Sequence, residues 1–421
     1  MSATAKGSAT QKRDLRTGHS LWQDSAFTGV PSKGLSQSLS VDVVVIGAGI
    51  TGAFMAHALT RAAKDLKKVL GHDLRILVLD RRPPLTGSTV ASTAMLQWEV
   101  DLPMTDLAKS VGEDHARRVY QRTFRALGDL AELIKAENIR CAFETRATLY
   151  LAGDEYGHRA LSSEAEARQA AGLPSEYLTG AQVRERFGID RTGAILSQHS
   201  ASADPGQLAA ALMRRAEEAG AKVLSPVEVV DVLSDPDGVS LKTDSGHAIR
   251  ARKVVFCSGY ELPDMVSIPK ADILSTWALA SKPKTAMPAW LTSMMVWEAS
   301  DPYLYFRSTP DGRIILGGED EEAEARHSRP ALLKKKAETL RRKLRAMLPE
   351  IELEPDYVWA GAFGNSTTGL PFIAPVQNMD HVWAVAGLGG NGITYSVIAS
   401  QIVTAALCDK PDPDTELFTA R

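Results

Sequence analysis

The sequence has few cysteines and little net charge. Only three cysteines, Cys141, Cys257 and Cys408, occur in 421 residues, and they form no C-x-x-C pair and no pairing with histidine. This spacing argues against a metal site and against a disulfide framework. The formal net charge of −3 argues against a general binder of nucleic acids.

Recognisable targeting segments are also missing. Residues 1–20 are polar with scattered basic residues and lack the apolar stretch of a secretory signal. No run of apolar residues is long enough to cross a bilayer. We therefore expect a cytoplasmic protein without an integral membrane segment, preceded by a disordered tail that extends to about Thr17.

The segment from Val41 to Gly52, VDVVVIGAGITG, is the strongest local pattern in the chain. Its β-prone residues predict a buried parallel strand, and Gly47, Gly49 and Gly52 follow in the pattern G-x-G-x-x-G before a helical segment. The three glycines allow a tight turn, the close approach of a pyrophosphate, and the packing of the helix on the strand. The N-terminus of that helix offers free N–H groups to an anion.

A second apolar strand, Leu74 to Leu79, ends in Asp80, whose carboxylate can accept hydrogen bonds from a ribose. Strand, glycines, helix, strand and acid in this order predict a dinucleotide site. The alternative is an α/β turn whose glycines serve packing only.

Two further stretches favour a backbone that approaches a ligand closely. Residues 87–94 are almost all small or hydroxyl-bearing, a composition suited to lying against a flat or anionic group. Near the end of the chain, the strand Val382 to Ala386 leads into the turn GLGGNG and a helix from Ile393 to Cys408. A second helix N-terminus is therefore presented to a ligand.

These motifs together resemble the D-amino-acid oxidase/glycine oxidase/sarcosine oxidase (DAO) superfamily of flavoproteins. The resemblance covers about residues 41 to 408 and is carried by GAGITG with Asp80, GSTVAS, the Asp204–Pro205 helix start, VVFCSGYE, YLYFRSTPDGRIILGG, GLPFIAP and GLGGNGITYS. It implies a mixed α/β fold with a Rossmann-like FAD-binding domain and an antiparallel-sheet substrate domain.

The resemblance also implies how the chain is divided. The expected parts are an N-terminal tail and arm (1–40), an FAD-binding domain built from several segments (41–140, 199–262 and 356–421), and a substrate domain (141–198 and 263–355). The flavin ring would lie between the two domains, with the substrate against one of its faces.

Carried over residue by residue, the resemblance assigns most of the glycine-turn and hydroxyl residues to FAD. The implied cofactor-binding residues are Gly47, Gly49, Ile50, Thr51, Gly52, Asp80, Arg81, Ser88, Thr89, Ser92, Thr93, Val229 (or Val227), Gly259, Gly389, Gly390, Asn391, Gly392, Ile393 and Thr394. The family's positions for covalent flavin attachment hold no cysteine or histidine here, so non-covalent FAD is expected.

The substrate side is less well marked. The family's tyrosine-plus-arginine clamp for a carboxylate is not plainly reproduced, and Arg307 on the strand YLYFR is the nearest candidate, with a surface ion pair as the alternative. Gln97 and Glu99 could face the flavin, and an acid there would favour cationic or polyamine-like compounds. Tyr260 is a possible aromatic wall, as are Trp98, Tyr305 and Trp359, although such residues are often plain core.

The sequence therefore predicts an FAD enzyme that oxidises the C–N bond of a small amine or amino acid and passes electrons to oxygen or another acceptor. A nicotinamide-dependent dehydrogenase and a flavin-binding but inactive subunit of a larger complex are the alternatives. Substrate identity, the choice between oxidase and dehydrogenase, and the oligomeric state are left open.

Overall fold

The computed structural model describes residues 12–25, 29–263, 271–323, 325–366 and 368–419. Eighteen strands lie within these ranges: β1 Arg16–His19, β2 Leu39–Ile46, β3 Ile76–Leu79, β4 Met95–Leu96, β5 Glu144–Leu151, β6 Ser175–Thr179, β7 Gly193–Ser202, β8 Lys222–Leu224, β9 Val229–Asp235, β10 Gly238–Thr243, β11 Ala248–Phe256, β12 Ala271–Ser281, β13 Met294–Glu298, β14 Leu304–Ser308, β15 Ile314–Glu321, β16 Pro355–Ser366, β17 Phe372–Pro375 and β18 Val382–Ala386. The α-helices in the same ranges are α1 Ile50–Arg61, α2 Ala63–Leu70, α3 Met104–Val111, α4 Glu113–Ala136, α5 His158–Ala170, α6 Gly180–Phe187, α7 Pro205–Glu218, α8 Pro330–Met347 and α9 Gly392–Leu407.

One sheet has eight strands and a parallel centre. Its order is β17-β18-β11-β2-β3-β8, with β10 and β9 added beside β11. Strand β11 pairs in parallel with β2 on one side and with β18 on the other. The carboxyl ends of β2 and β18, where the two glycine turns begin, therefore open at the same edge of the sheet.

Helices α1, α7 and α9 cover this sheet and form its main core. The side chains of Val43 and Val45 on β2 are buried in one apolar cluster with residues of all three helices. Helix α7 begins as its sequence predicts, since Asp204 Oδ1 accepts a hydrogen bond from Gln207 N at 2.9 Å and Pro205 occupies the first turn. The hydroxyl groups of Thr51 on α1 and Ser396 on α9 lie 2.8 Å apart, which joins two helices that are distant in sequence.

The second sheet has ten strands in the order β1-β16-β12-β15-β14-β13-β5-β7-β4, with β6 paired to β7. Its pairs are antiparallel except for β13 with β5. Helix α8 packs on it through buried Leu340 and Leu344. The predicted mixed α/β class, with a parallel and an antiparallel sheet, is confirmed.

The arrangement of strands adds detail that the sequence did not supply. Strands β1, β4 and β16 belong to the ten-stranded sheet, although they lie in segments assigned to the tail or to the FAD-binding domain. The tail prediction is wrong for its last residues: Arg16–His19 form β1, which pairs with β16 from Val358 to Gly361. The domain boundaries as such stay a prediction.

One apolar helical period covers two separate helices. The apolar period from Thr105 to Asn138 continues through α3 and α4, but Gly112 separates them with φ of +93°, a backbone conformation that favours glycine. In the described part of the chain no helix has the length and apolar character needed to span a membrane.

Substitution of Gly52 by alanine should destabilise the protein, because a Cβ atom there would lie 1.8 Å from the carbonyl oxygen of Gly47. We expect the free energy of unfolding to fall by at least about 2 kcal/mol, as for other overpacked sites. Urea unfolding measures this. The control is Gly128→Ala on α4, where a Cβ would meet nothing within 4 Å and helix propensity favours alanine by up to about 1 kcal/mol; equal stability of the two variants would contradict the packing argument.

Candidate active site

A cleft of about 690 Å³ is lined by residues of both sheets and of both ends of the chain. Its walls include the carboxyl ends of β2, β3 and β11 from the eight-stranded sheet, and residues of β12, β14, β15 and β16 from the ten-stranded sheet. Its volume lies within the range typical of ligand-binding sites.

The first glycine turn forms one wall through a very close backbone approach. Gly47 has φ of +113°, and a Cβ atom there would lie 2.3 Å from the carbonyl oxygen of Cys257. Gly49 precedes the first turn of α1 and has no side chain with which to cap that helix. Ile50 N donates a hydrogen bond to Thr89 Oγ1 at 2.9 Å. The turn therefore presents uncapped helical N–H groups beside a threonine hydroxyl.

All the residues predicted to bind the cofactor line this cleft, with one exception. Gly52 is not among the lining residues; its missing side chain lets α1 cross the Gly47 turn. We therefore attribute Gly52 to packing, which is one of the two roles that the sequence pattern allowed.

Asp80 lies at the carboxyl end of β3 and is held by backbone donors. Its carboxylate accepts hydrogen bonds from Ala48 N at 2.7 Å and Arg82 N at 2.8 Å. Burial raises the pKa of Asp80, although these two donors oppose the shift. Arg81 lines the cleft beside it and forms an ion pair with Glu261. Each carboxylate oxygen of Asp80 still has a lone pair for a further donor.

The N-terminal arm holds the hydroxyl-rich segment, residues 87–94, through two hydrogen bonds. Ser88–Ala91 form a short 3-10 helix. Trp22 Nε1 donates to the carbonyl of Ser92 at 2.6 Å, and Ser20 Oγ donates to the carbonyl of Val90 at 2.5 Å. Ser88, Thr89, Ser92 and Thr93 line the cleft. The sequence did not anticipate this role of the arm, since no motif connects residues 12–25 to the segment they cover.

The second glycine turn is hydrogen-bonded to residues 97–101, which follow β4. Gly390 N donates to Asp101 Oδ2 at 2.7 Å, Asn391 Nδ2 donates to the carbonyl of Glu99 at 2.8 Å, and Thr394 Oγ1 donates to the carbonyl of Gln97 at 2.9 Å. No side chain caps α9. Two helix N-termini, from opposite ends of the chain, therefore open onto one cleft.

Gln97 and Tyr260 lie in the cleft as expected. The side-chain nitrogen of Gln97 is buried and has no hydrogen-bond partner among the described residues. The ring of Tyr260 packs on Gly364, where a Cβ atom would lie 2.9 Å from it. Burial raises the pKa of Tyr260 to about 12, so its hydroxyl stays protonated at neutral pH.

Arg307 does not line the cleft, and we correct its expected role. Its side chain is almost fully buried, with 2% of its surface exposed. The guanidinium donates to the carbonyl oxygens of Thr93 at 2.8 Å, Ser308 at 3.1 Å and Ala203 at 3.2 Å. Burial, with Arg146 nearby, lowers its pKa to about 9. These contacts connect β14 to the loops that carry Thr93 and Ala203. We therefore no longer assign Arg307 to the substrate.

Two of the expected aromatic walls are core residues. Trp98 Nε1 donates to the carbonyl of Gln198 at 2.7 Å, and Trp359 Nε1 donates to that of Ala91 at 2.8 Å; both side chains are buried and neither lines the cleft. Tyr305 does line it, and so do aromatic residues that the sequence did not single out, among them Tyr150, Trp297 and Tyr303.

Sequence reasoning also missed most of the acidic residues of the site. Besides Glu99, the cleft wall carries Asp101, Glu155, Glu298, Asp301, Asp320 and Glu322. They come from separate loops and strand ends, and no local pattern joins them. The nearest signal is the acidic run after Gly317-Gly318, whose direction only the strand pairing reveals. The described residues contain no cluster of histidine, cysteine and acids that could hold a metal ion.

Asp320 is the most perturbed of these acids. Both of its carboxylate oxygens are shielded from solvent and lack a hydrogen-bond partner of normal geometry within the described residues. Burial raises the pKa of Asp320 to about 6, and the hydroxyls of Thr276 and Tyr303 reduce that shift. A buried carboxylate with a raised pKa in a cleft is typical of a functional site.

Comparison with known proteins matches most of the chain to FAD-dependent oxidoreductases. The family model described as DAO, FAD dependent oxidoreductase, matches residues 42–406. A protein of Bacillus subtilis (strain 168), named YhfW and described as a Rieske 2Fe-2S iron-sulfur protein, is 24% identical over 403 residues, which are 94% of this chain and 74% of that protein. Gamma-glutamylputrescine oxidoreductase of Escherichia coli (strain K12) is 23% identical over 92% of this chain and 88% of its own length.

A solved structure supports the fold. Glycine oxidase from Geobacillus kaustophilus superposes with a TM-score of 0.73, covering 91% of this chain and 99% of the other at 20% identity. At that identity the likeness establishes the shared fold alone.

Substitution of Asp320 by asparagine should stabilise the protein more at pH 8 than at pH 5. The pKa of Asp320 is raised to about 6 in the folded protein, so the folded protein binds this proton more tightly than the unfolded chain does. The free energy of unfolding therefore falls as the pH rises from about 4 to 6 and Asp320 ionises. This loss of stability is complete once the pH is well above 6. We expect the stabilisation by Asp320→Asn to be larger at pH 8 by on the order of 1 kcal/mol.

Thermal unfolding at the two pH values measures this effect. Asp301→Asn removes an exposed cleft carboxylate and should show a smaller difference between pH 5 and pH 8. A pH-independent effect of Asp320→Asn would contradict the raised pKa.

Proposed function

The chain belongs to the DAO family of FAD-dependent oxidoreductases, and on that premise we propose that it oxidises the C–N bond of a small amine or amino acid by hydride transfer to FAD. The observation that carries this proposal is the convergence of two glycine turns and two uncapped helix N-termini on one cleft, which continues over the face of the ten-stranded sheet. Family membership also decides for FAD over the nicotinamide cofactor that the glycine pattern left open.

The adenosine and pyrophosphate part of FAD fits the wall near α1. A Cβ atom at Gly47 would lie 2.3 Å from the carbonyl oxygen of Cys257, and one at Gly49 would lie 3.2 Å from Thr89 Oγ1. The bare backbone at these two positions would present N–H groups to the pyrophosphate. Asp80 would accept hydrogen bonds from the ribose. Val229 and Gly259 line the same end of the cleft and would contact the adenosine through backbone and apolar atoms.

The flavin part fits the wall formed by the second glycine turn. Residues 389–394 line the cleft, and α9 begins there without a side-chain cap. The partial positive charge of this helix N-terminus would stabilise negative charge that accumulates on the cofactor during reduction. Cys257 lines the cleft as well, but burial raises the pKa of its thiol, which agrees with non-covalent FAD.

When bound, FAD supplies the acceptor for the hydride that leaves the substrate carbon. The protein has to hold a neutral amine with its C–H bond directed at the cofactor. Gln97, with its unpaired side-chain N–H groups, would orient a polar group of the substrate or of the flavin, and Tyr260 and Tyr305 would form apolar walls that exclude water. The nitrogen lone pair then forms the C=N bond, and water later releases the carbonyl product.

The proposal is tested by anaerobic reduction of the flavin. The purified protein should carry the visible absorbance of oxidised flavin and lose it on addition of an amine substrate. Peroxide formed in air in proportion to substrate would define an oxidase. Inertness toward all amines and amino acids would instead favour the inactive-subunit alternative.

Gly49→Ala should weaken FAD binding. The added Cβ would lie 3.2 Å from Thr89 Oγ1 and would occupy the space into which the pyrophosphate approaches. We expect the dissociation constant of FAD to rise at least about tenfold, which corresponds to 1.4 kcal/mol. Fluorescence titration of the apoprotein with FAD measures it.

Gly157→Ala is the matched control, since Gly157 likewise precedes a helix, lacks a side-chain cap and has open space around it. It does not line the cleft, and FAD binding by this variant should equal that of the wild type. If both variants bind FAD normally, the pyrophosphate does not lie at this turn.

A further inference from the structure

The charges along the cleft are strongly one-sided. Among the described residues that line it, ten are aspartate or glutamate and two are arginine. Both arginines, Arg81 and Arg82, follow β3 at the adenosine end, where they form ion pairs with Glu261. No lysine, arginine or histidine of the described chain lines the half formed by the ten-stranded sheet.

Apart from Glu99, which accepts hydrogen bonds from Thr148 and Ser200, five carboxylates in that half have no salt-bridge partner among the described residues: Asp101, Glu155, Asp301, Asp320 and Glu322. Glu155, Asp301 and Glu322 are exposed. The loops of Glu155 and Asp301 lie against each other, because Glu155 N donates to the carbonyl of Ala299 at 3.0 Å and Asp301 N donates to Asp154 Oδ1 at 3.2 Å. A surface with this many unpaired acids repels an anionic substrate.

Two of the five acids, the exposed Asp101 and the more buried Asp320, lie close to each other. Asp101 is bonded to the second glycine turn, and the charge of Asp101 acts on Asp320. The groups that face Asp320 are Asp101, the hydroxyls of Thr276, Tyr303 and Tyr305 and, more distantly, Lys336. Neither Asp320 oxygen has a hydrogen-bond partner of normal geometry within the described chain. An unpaired buried carboxylate is costly unless a donor reaches it, so this group points to a cationic ligand.

Aromatic rings line the same half of the cleft. Tyr150 and Trp297 stack with their ring centroids 3.7 Å apart, and the buried indole nitrogen of Trp297 has no partner in the described residues. Tyr303 and Tyr305 form a second pair, with centroids 5.5 Å apart. Aromatic faces bordered by carboxylates attract ammonium groups.

From these observations, and resting on the proposed function, we infer that the substrate is a diamine or polyamine that carries at least two nitrogen centres and no carboxylate near the reacting carbon. One ammonium group contacts the exposed acids, while the reacting nitrogen lies toward Asp101 and Asp320. Arg307, the guanidinium that an α-amino acid would need, is buried among backbone carbonyls.

The reaction is a two-electron oxidation. The reacting ammonium first gives a proton to a carboxylate or to water, and the neutral amine then loses a hydride from the adjacent carbon to the FAD of the proposed function. The nitrogen lone pair becomes the C=N bond. Water adds to that bond and releases an aldehyde together with ammonia from a primary amine, or with an amine from a secondary one, and oxygen or another oxidant takes the two electrons from the cofactor.

The experiment uses the holoenzyme and four kinds of probe. These are 1,4-diaminobutane and spermidine, n-butylamine with the same carbon chain and one ammonium, the amino acids glycine, sarcosine and D-alanine, and sodium chloride as a screening salt. Anaerobic stopped-flow reduction gives a limiting rate and a half-saturating concentration. We expect the diamine to half-saturate at least about tenfold below n-butylamine, with an advantage that shrinks as salt is added.

Variants then test the carboxylates one at a time. Glu322→Gln and Asp301→Asn should each raise the half-saturating concentration of the diamine about three- to tenfold and leave the value for n-butylamine nearly unchanged. Asp320→Asn should raise it at least about tenfold and should remove the loss of binding that the wild type shows below about pH 6. Glu352→Gln, an exposed acid outside the cleft, is the control, and flavin content with circular dichroism verifies folding.

The outcomes separate the inference from the proposed function. Reduction by amino acids but not by diamines keeps the function and overturns the inference. Reduction by diamines with unchanged values in Glu322→Gln, Asp301→Asn and Asp320→Asn also overturns it. If no compound reduces the flavin while diamines still perturb its spectrum in a salt-sensitive way that Glu322→Gln weakens, the function fails and the cation site stands.

Discussion

The structure depends on the parallel pairing of β11 with both β2 and β18. This pairing places two strand–glycine–helix units side by side although more than 300 residues separate them in sequence. Because parallel strands end at one edge, both glycine turns and both helix N-termini face the same space. The contact between Thr51 and Ser396, and the close fit of Gly52 to Gly47, hold this arrangement together.

The ten-stranded sheet completes the site from the other side. Its strands and the loops that adjoin them supply the rings of Tyr150, Trp297, Tyr303 and Tyr305 and the five unpaired carboxylates. The segment from Gln97 to Asp101 connects the two halves, since its carbonyl groups and the Asp101 side chain accept hydrogen bonds from the second glycine turn. One half of the cleft therefore offers N–H groups to an anionic cofactor, and the other offers carboxylates to a cation. In the proposed function, this division of charge would separate recognition of the cofactor from recognition of the substrate.

The cofactor side was predictable because its signals are local. A buried strand, glycines at fixed spacing and a terminal acid constrain the backbone within a few residues, so Gly47, Gly49 and Asp80 could be placed from the sequence. Gly52 shows the limit of this reasoning, since its pattern fits both ligand approach and packing, and only the position of the Gly47 carbonyl distinguishes them. The N-terminal arm was predicted, but its contacts with residues 90–92 were not, because they join segments about 70 residues apart.

The sequence by itself determined the family, the FAD cofactor and the mixed α/β class, because each follows from short motifs in a fixed order. Only the tertiary structure decided which groups surround each side chain of the second sheet, even for two residues on the same face of one strand. Arg307 shares a strand with Tyr305, yet the arginine is enclosed by three carbonyl groups while the tyrosine faces the cleft. Asp101, Asp301 and Asp320 are far apart in sequence and form one acidic surface only in the folded chain. Their combined electrostatic effect depends on the distances between them, which no single segment of the sequence determines.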